Sequence, residues 1–137
     1  MRALGIDLGG KRIGVAISDN DGKVATPLQV LKRSKNTKED HKKISDLVSE
    51  WEAECVVVGM PYSLNGDKGP AAKAVEEEVE ELASAVSVPV DIHDERLTTV
   101  IAAQELSFQG LDNKRQRKVI DQVAASVILQ SWLDNRT

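Results

Sequence analysis

Three carboxylates at distant positions of the sequence have neighbours that are unusual for charged side chains. Asp7 lies near the end of the apolar run ALGIDL, and Glu95 follows the short apolar run VPVDIH. Asp121 lies within KVIDQVAASVILQSWL, where helical geometry groups it with an apolar arc that includes Ala124 and Ala125. A buried carboxylate without a partner is costly, so each of these acids requires a group that neutralises it.

Carboxylates gathered at one place repel one another and raise one another's pKa, and a divalent cation removes that repulsion. Oxygen ligands without histidine or cysteine suit Mg²⁺ or Mn²⁺ rather than Zn²⁺. Two such ions about 4 Å apart activate a water molecule and stabilise the leaving oxygen in phosphodiester cleavage. The three acids therefore indicate a site for hard divalent cations, provided that the fold brings them together.

Each acid also has a structural interpretation. Asp7 could accept hydrogen bonds from the amides of the two glycines that follow it. Glu95 could be an acid favoured by the dipole at a helix N-terminus. Asp121 could form an ion pair with a cation one turn earlier on its own helix. These alternatives weaken for the set, because the predicted topology brings all three acids to one place.

Hydropathy patterns predict the element order β-β-β-α-β-α-β-α-α. Strands are expected at 3–8, 12–18, 23–31, 54–59 and 88–93, and helices at 37–52, 70–86, 97–108 and 115–134, the first capped by Thr37. Pro27 confines the third strand to a sheet edge. The order predicts an α/β fold with a mixed sheet and helices on its faces. Ligands bind at the carboxyl ends of strands in such sheets.

Composition limits the class of protein further. The chain has 137 residues, of which 41% are hydrophobic, and its net charge is −4. The single cysteine, Cys55, excludes a disulfide framework and a cysteine-based zinc site. No apolar run approaches the ~20 residues of a membrane span. We expect a soluble, cytoplasmic protein without a membrane partner, and the net charge alone does not exclude nucleic acid.

Candidates for contacts to substrate phosphates flank the three acids: Lys11, Arg12, Arg96, Thr98, Lys114, Arg115 and Arg117. The last three belong to the run KRQRK at the start of the final helix. A cation cluster at a helix N-terminus opposes the helix dipole, which modestly favours a binding role. Solvated turns, helix caps and structural ion pairs are the alternatives for these residues.

Other charged segments have simpler interpretations. The glutamate run at 76–81 is predicted to be a solvent-facing surface that repels nucleic acid. A second basic patch is predicted near the edge strand, comprising Lys32, Arg33, Lys35 and Lys38. The two histidines, His41 and His93, are isolated in the sequence, which indicates surface or packing roles.

Four ordered motifs resemble the YqgF (RuvX-type) family over essentially the whole chain: GIDLGGKRIGVAISD, VVVGMPYSLNGDKGP, DIHDERLTT and DQVAASVILQSWL. That family is named for Holliday junction resolvase and for pre-16S rRNA nuclease activity. It resembles ribonuclease H and the RuvC resolvase in fold, with a five-stranded mixed sheet in the order 3-2-1-4-5. The resemblance implies a single ribonuclease H-like nuclease domain over residues 1–137.

The resemblance also implies that Asp7, Glu95 and Asp121 are catalytic acids that bind Mg²⁺ or Mn²⁺, with two ions expected. The implied partner is structured RNA or branched DNA. Maturation of the pre-16S rRNA 5′ end is the preferred role and Holliday junction cleavage the second, in which case a homodimer would cut both strands. A non-catalytic nucleic-acid-binding protein is another alternative. So is a nucleotide-binding module, because GxDxGxKRIGVA also resembles the phosphate loop of actin-like ATPases.

Overall fold

The computed structural model describes residues 1–62, 65–94 and 113–136, and within the last range it describes side chains from residue 123 onward. The strands are β1 (Ala3–Leu8), β2 (Arg12–Ser18), β3 (Ala25–Lys32), β4 (Cys55–Met60) and β5 (Val90–Asp94). The helices are α1 (Thr37–Glu50), α2 (Pro70–Ala85) and α3 (Asn113–Asp134). These elements follow the predicted order, and the helix expected at 97–108 lies outside the described residues.

The five strands form one sheet in the order β3-β2-β1-β4-β5, as predicted. β1 is antiparallel to β2 and parallel to β4, and β5 is parallel to β4. β3 lies at the edge, where the register with β2 shifts so that Val15 pairs with Gln29 but Ala16 pairs with Pro27. The proline therefore lies at an irregularity of an edge strand, where its missing N–H does not interrupt a central ladder.

Side chains along β1 alternate between two buried layers. Leu4 and Ile6 belong to a cluster with the inward side chains of α1 and α2. Ala3 belongs to a second cluster on the opposite face, where it packs with Ala125 and Leu129 of α3. The sheet thus has α1 and α2 on one face and α3 on the other, and β1 is buried from both.

The first helix begins with a different cap from the one predicted. The side chain of Asn36 accepts a hydrogen bond from the amide of Lys38 at 2.9 Å, so Asn36 is the N-cap and Thr37 is the first helical residue. Asparagine caps helices at least as well as threonine, and adjacent candidates of this kind are not separated by sequence. Among the described residues, no helix is long and apolar enough to cross a bilayer.

The glutamate run on α2 is not uniformly solvent-exposed, which corrects the prediction. The Glu78 carboxylate accepts two hydrogen bonds from Arg33, at 2.8 and 2.9 Å, and one from His41 Nε2 at 2.8 Å. The His41 side chain is only 3% exposed, against 16% for Arg33 and 17% for Glu78. The prediction that Arg33 belongs to a second basic patch near the edge strand is therefore wrong, because its guanidinium is paired with Glu78. The burial of His41 fits the packing role predicted for it.

The helical period explains why Glu78 turns inward. It lies three residues after Val75 and four before Leu82, both of which are buried. A side chain at that position borders the core-facing stripe of α2 and meets the end of β3 and the first turns of α1. The remaining members of the run are more exposed and keep the predicted solvent-facing role, as Glu77, Glu80 and Glu81 show.

α3 approaches β1 so closely that Gly5 has no room for a side chain. A Cβ atom at Gly5 would lie 2.7 Å from Leu129 Cβ and 2.9 Å from the carbonyl oxygen of Ala125. Ala16, on the neighbouring strand, is buried in the same layer. Small residues on both elements thus permit the close approach that the alanines following Asp121 predicted.

The Gly5→Ala variant is expected to be less stable than the wild type by about 1–3 kcal/mol, because the added methyl group overpacks the contact with Leu129 Cβ and the carbonyl oxygen of Ala125. Gly10→Ala is the matched control. A Cβ atom at Gly10 meets nothing within 4 Å, so we expect its stability to lie within about 0.5 kcal/mol of the wild type. Urea denaturation measures both. Equal stabilities would contradict the close packing of α3 on β1.

The charge network gives a second prediction. Burial alone would raise the pKa of Glu78, but the hydrogen bonds from Arg33 and His41 outweigh it and hold that pKa below its usual value. A lowered carboxyl pKa contributes stability that is present above the unfolded-state pKa of about 4.3 and is lost as pH falls through the folded-state value. We expect Glu78→Gln to cost about 1–3 kcal/mol at neutral pH and to flatten the loss of stability on acidification.

Glu76→Gln is the control for this measurement, because Glu76 pairs with Lys68 on a half-exposed surface of the same helix. Surface pairs of this kind contribute little, so the control is expected to keep the wild-type dependence on pH. Denaturant melts between about pH 3 and pH 7 compare the three proteins. A Glu78→Gln variant with the wild-type acid slope would show that the pKa is not lowered.

Candidate functional site

Asp7 lies at the carboxyl end of the central strand, as predicted. It is the penultimate residue of β1, it pairs with Gly14 of β2, and it is half-buried. Strand alternation assigns it to the same face as Ala3 and Gly5, which is the face covered by α3. The candidate acid thus belongs to the α3 side of the sheet, at the edge where β1 gives way to a glycine turn.

The glycine turn that follows Asp7 is tightly closed. The Gly9 amide donates to the main-chain carbonyl of Asp7 at 3.1 Å. A Cβ atom at Gly9 would lie 2.6 Å from the carbonyl oxygen of Arg12, so the turn requires glycine there. Lys11 and Arg12 are exposed beside the turn. The two predicted phosphate-binding cations therefore lie at the same end of the sheet as Asp7.

The backbone of α3 runs antiparallel to β1. Leu129 and Ala125 contact Gly5, while Arg136 Nη1 lies 3.4 Å from the sulfur of Met1 at the other end of the strand. One helical turn back from Ala125, a rise of about 6 Å, leads to position 121. Two strand residues beyond Gly5, about 6.6 Å, lead to Asp7. Position 121 of the α3 backbone is thus level with Asp7, on the face to which Asp7 belongs.

β5 brings the chain to the same edge of the sheet. It is parallel to β4, with Asp94 paired to Met60, and β4 is parallel to β1. The strand extends one residue further than predicted, so Glu95 follows it directly. Glu95 itself lies outside the described residues.

The described residues cover the rest of the predicted site only in part. Arg96 and Thr98 lie outside the described residues. Lys114, Arg115 and Arg117 lie in the first turns of α3, where the structure describes the backbone but not the side chains. Within the described part of the chain there is no group of three or more histidine, cysteine or acidic residues able to hold a metal ion. Asp7 is the one predicted metal ligand whose side chain falls within that part.

Sequence reasoning missed Arg33 as a residue of this region. Arg33 Nε donates to the carbonyl oxygen of Gly9 at 2.6 Å, and its amide donates to the carbonyl oxygen of Lys11 at 3.0 Å. The strand register explains the backbone contact, because Arg12 pairs with Lys32, the last residue of β3, and Arg33 follows it beside the turn. The contact of the guanidinium with Gly9 has no counterpart in local sequence pattern.

Two cavities differ in their relation to this site. A cleft of about 510 Å³ has Asp7, Gly9, Gly10, Arg33 and Glu78 in its lining, together with apolar side chains of α2. A larger groove of about 890 Å³ lies between the start of α1 and the carboxyl-terminal half of α2, with Thr37 and Ser84 in its lining. The smaller cleft adjoins the candidate acid, so we assign the site to that end of the sheet.

Comparison with known proteins gives consistent results. The family model described as RuvX, Holliday junction resolvase, matches residues 1–135. A protein of Rhodococcus opacus (strain B4) named "Putative pre-16S rRNA nuclease" is 47% identical over 140 residues, covering 99% of this chain and 79% of that protein. A protein of the same name from Thermoanaerobacter pseudethanolicus (strain ATCC 33223 / 39E) is 42% identical over 137 residues, covering 99% and 98%.

Among solved structures, Thermus thermophilus RuvC matches with a TM-score of 0.57 and 19% identity, over 99% of this chain and 96% of that chain. The same protein in complex with a Holliday junction substrate matches with a TM-score of 0.56 and 21% identity, over 93% and 91%. This likeness, with the strand order 3-2-1-4-5, confirms the predicted ribonuclease H-like fold. The family match over residues 1–135 and the two relatives, which are 47% and 42% identical over 99% of this chain, show that this chain belongs to the RuvX family.

Proposed function

We propose that this protein is a divalent-metal-dependent nuclease that hydrolyses phosphodiester bonds in structured nucleic acid, and that residues 1–137 act as one nuclease domain. The observation that carries the proposal is the position of Asp7 at the carboxyl end of β1, level with position 121 of α3. Family membership supports hydrolysis of nucleic acid. Its place of action is the cytoplasm.

The proposed metal ligands are Asp7, Glu95 and Asp121. These three side chains suit Mg²⁺ or Mn²⁺, because they offer only carboxylate oxygens and both ions prefer such hard ligands. When bound, a pair of these ions supplies an activated water and charge neutralisation at the leaving oxygen. Asp7 is half-buried on the central strand, and the pairing of that strand with β2 sets the position of its backbone before the metal or the substrate arrives.

The proposed contacts to substrate phosphates come from Lys11, Arg12, Arg96, Thr98, Lys114, Arg115 and Arg117. Lys11 and Arg12 carry the strongest support, because both are exposed beside the turn that follows Asp7. Arginine can hold a phosphate with two parallel hydrogen bonds, and lysine acts as a point charge. Contacts of this kind position the backbone without reading the sequence of bases.

The preferred substrate is pre-16S rRNA, processed at its 5′ end. The support is the name given to the relatives from Rhodococcus opacus and Thermoanaerobacter pseudethanolicus. Holliday junction DNA is the second candidate, supported by the description of the family model and by the RuvC complex with a junction. Symmetrical cleavage of a junction would favour a homodimer, whereas trimming of one RNA end would not require it.

Replacement of Asp7 by asparagine tests the chemistry. Asp7→Asn removes a negative charge from a metal ligand, so we expect cleavage in Mg²⁺ or Mn²⁺ to fall by about 100-fold or more. The assay compares a pre-16S rRNA fragment with a four-way DNA junction. Asp21→Asn, at an exposed turn at the opposite end of the β1–β2 hairpin, is the control and is expected to retain wild-type activity.

Equal cleavage by Asp7→Asn and the wild type would contradict the proposed chemistry. Salt-sensitive binding by the wild type without any turnover would favour the non-catalytic nucleic-acid-binding alternative instead.

The salt dependence of binding tests the proposed phosphate contacts. The binding constant falls as salt rises, by about 0.7 in the slope of log K against log salt for each phosphate contact on a single strand. If Lys11 and Arg12 each contact one phosphate, replacing both by glutamine makes that slope shallower by about 0.7 per contact. Lys23→Gln is the control, because Lys23 is exposed at the opposite end of the sheet. Fluorescence anisotropy at several salt concentrations gives the slopes. A double variant with the wild-type slope would exclude these two residues from phosphate binding.

A further inference from the structure

Arg33 lies at the centre of a hydrogen-bonded chain that connects two helices to the glycine turn. His41 of α1 and Arg33 both donate to the Glu78 carboxylate of α2, and Arg33 Nε donates to the carbonyl oxygen of Gly9 at 2.6 Å. The turn therefore connects through Arg33 to Glu78, which lies 45 positions after Arg33 in the sequence, and through Glu78 to His41. Nothing in the local sequence of the turn supplies this attachment.

Burial of the charged groups of this network carries a cost in free energy, so a role other than stability would explain its presence. Removing charged groups from water carries a large desolvation penalty, and well-packed apolar residues often replace a buried ion pair without loss of stability. Here the network is largely buried, with side chains 3% to 17% exposed. A buried charge network can instead hold a neighbouring segment in one conformation. The segment that this network bonds is the turn after Asp7.

The position of the network relative to Asp7 suits a supporting role. Glu78 of α2 and His41 of α1 hold the guanidinium of Arg33, and Arg33, Glu78 and Asp7 all belong to the lining of the cleft of about 510 Å³ at the end of the sheet. Arg33 bonds the turn twice, through Nε to Gly9 and through its amide to Lys11. The network thus holds the turn beside the candidate metal ligand.

We propose that Arg33 is a positioning residue for the metal site, held in place by Glu78 and His41, and that it fixes the glycine turn so that Asp7 keeps the geometry needed for Mg²⁺ or Mn²⁺. The inference rests on the proposed function, because it takes Asp7 as a metal ligand. Arg33 itself contacts neither metal nor substrate in this account. Outer contacts of this kind typically change metal affinity or activity by about 10- to 100-fold when they are removed.

Arg33→Lys is the test variant, because lysine keeps the charge but cannot bond Gly9 and both Glu78 oxygens together. Arg2→Lys is the matched control. Arg2 Nη1 also donates to a backbone carbonyl, that of Trp51 at 3.0 Å, but at the opposite end of β1. Three measurements are made on each folded protein: Mn²⁺ binding by calorimetry without substrate, hydrogen exchange of the amides at residues 9–11, and steady-state cleavage kinetics.

We expect Arg33→Lys to bind Mn²⁺ about tenfold more weakly, to exchange the turn amides faster, and to lose kcat while KM stays within about threefold of the wild type. Arg2→Lys is expected to match the wild type in all three. A folded Arg33→Lys with wild-type Mn²⁺ affinity and wild-type exchange would overturn the inference. If Arg33→Lys does not fold, Glu78→Gln against Glu76→Gln gives the same comparison on one helix.

The result separates this inference from the proposed function. The wild type could bind Mn²⁺ and cleave RNA or junction DNA while the Arg33→Lys variant behaves in the same way. That outcome would contradict the positioning role of Arg33 and would leave the nuclease proposal standing. A wild type that binds no Mn²⁺ and does not cleave contradicts the nuclease proposal, and the positioning role falls with it.

Discussion

The central strand is constrained on four sides, and the position of Asp7 follows from that constraint. β1 is hydrogen-bonded to β2 and β4 at its two edges and buried by α1 and α2 on one face and by α3 on the other. A strand held in this way cannot slip by one residue without moving its apolar side chains to the wrong face. The backbone position of Asp7 at its end is therefore set by the pairing and packing of the strand.

The two faces of the sheet contribute different things to the candidate site. On the α3 face, Gly5 and Ala125 allow the helix to approach closely, which brings position 121 level with Asp7. On the other face, charged groups are satisfied by one another, as in the contacts of Arg33 and His41 with Glu78. The chain can share its fold with RuvC at only 19% identity, because these packing constraints act through residue size and burial rather than through particular side chains.

Much of the fold could be predicted from the sequence because its signals are local. Local patterns predict three of the elements: the apolar run predicts β4, the alternation predicts β2, and the apolar stripe predicts α1. Pro27 predicts that β3 lies at a sheet edge. The family resemblance supplied the strand order and the roles of the three acids. The cap at Asn36 was missed by one residue, because Asn36 and Thr37 are both good N-caps and sequence does not choose between them.

The inward turn of Glu78 and its contact with His41 could not be predicted, because they depend on partners in other elements. A glutamate at the border of a helical stripe is usually solvated, and it turns inward here only because Arg33 and His41 meet it. The role of Arg33 was missed for the same reason, since its contact with Gly9 joins residues 24 positions apart. Long-range polar contacts of this kind are decided by packing, which the sequence encodes only collectively.

The central claim is that acids from separate elements share hard divalent cations at the carboxyl end of β1. Anomalous diffraction from crystals soaked in Mn²⁺ tests it most directly. The account predicts anomalous density bonded to the Asp7 carboxylate and shared with Glu95 and Asp121. Absence of density at Asp7 in crystals that hold Mn²⁺ elsewhere, or three carboxylates directed to separate regions, would contradict it.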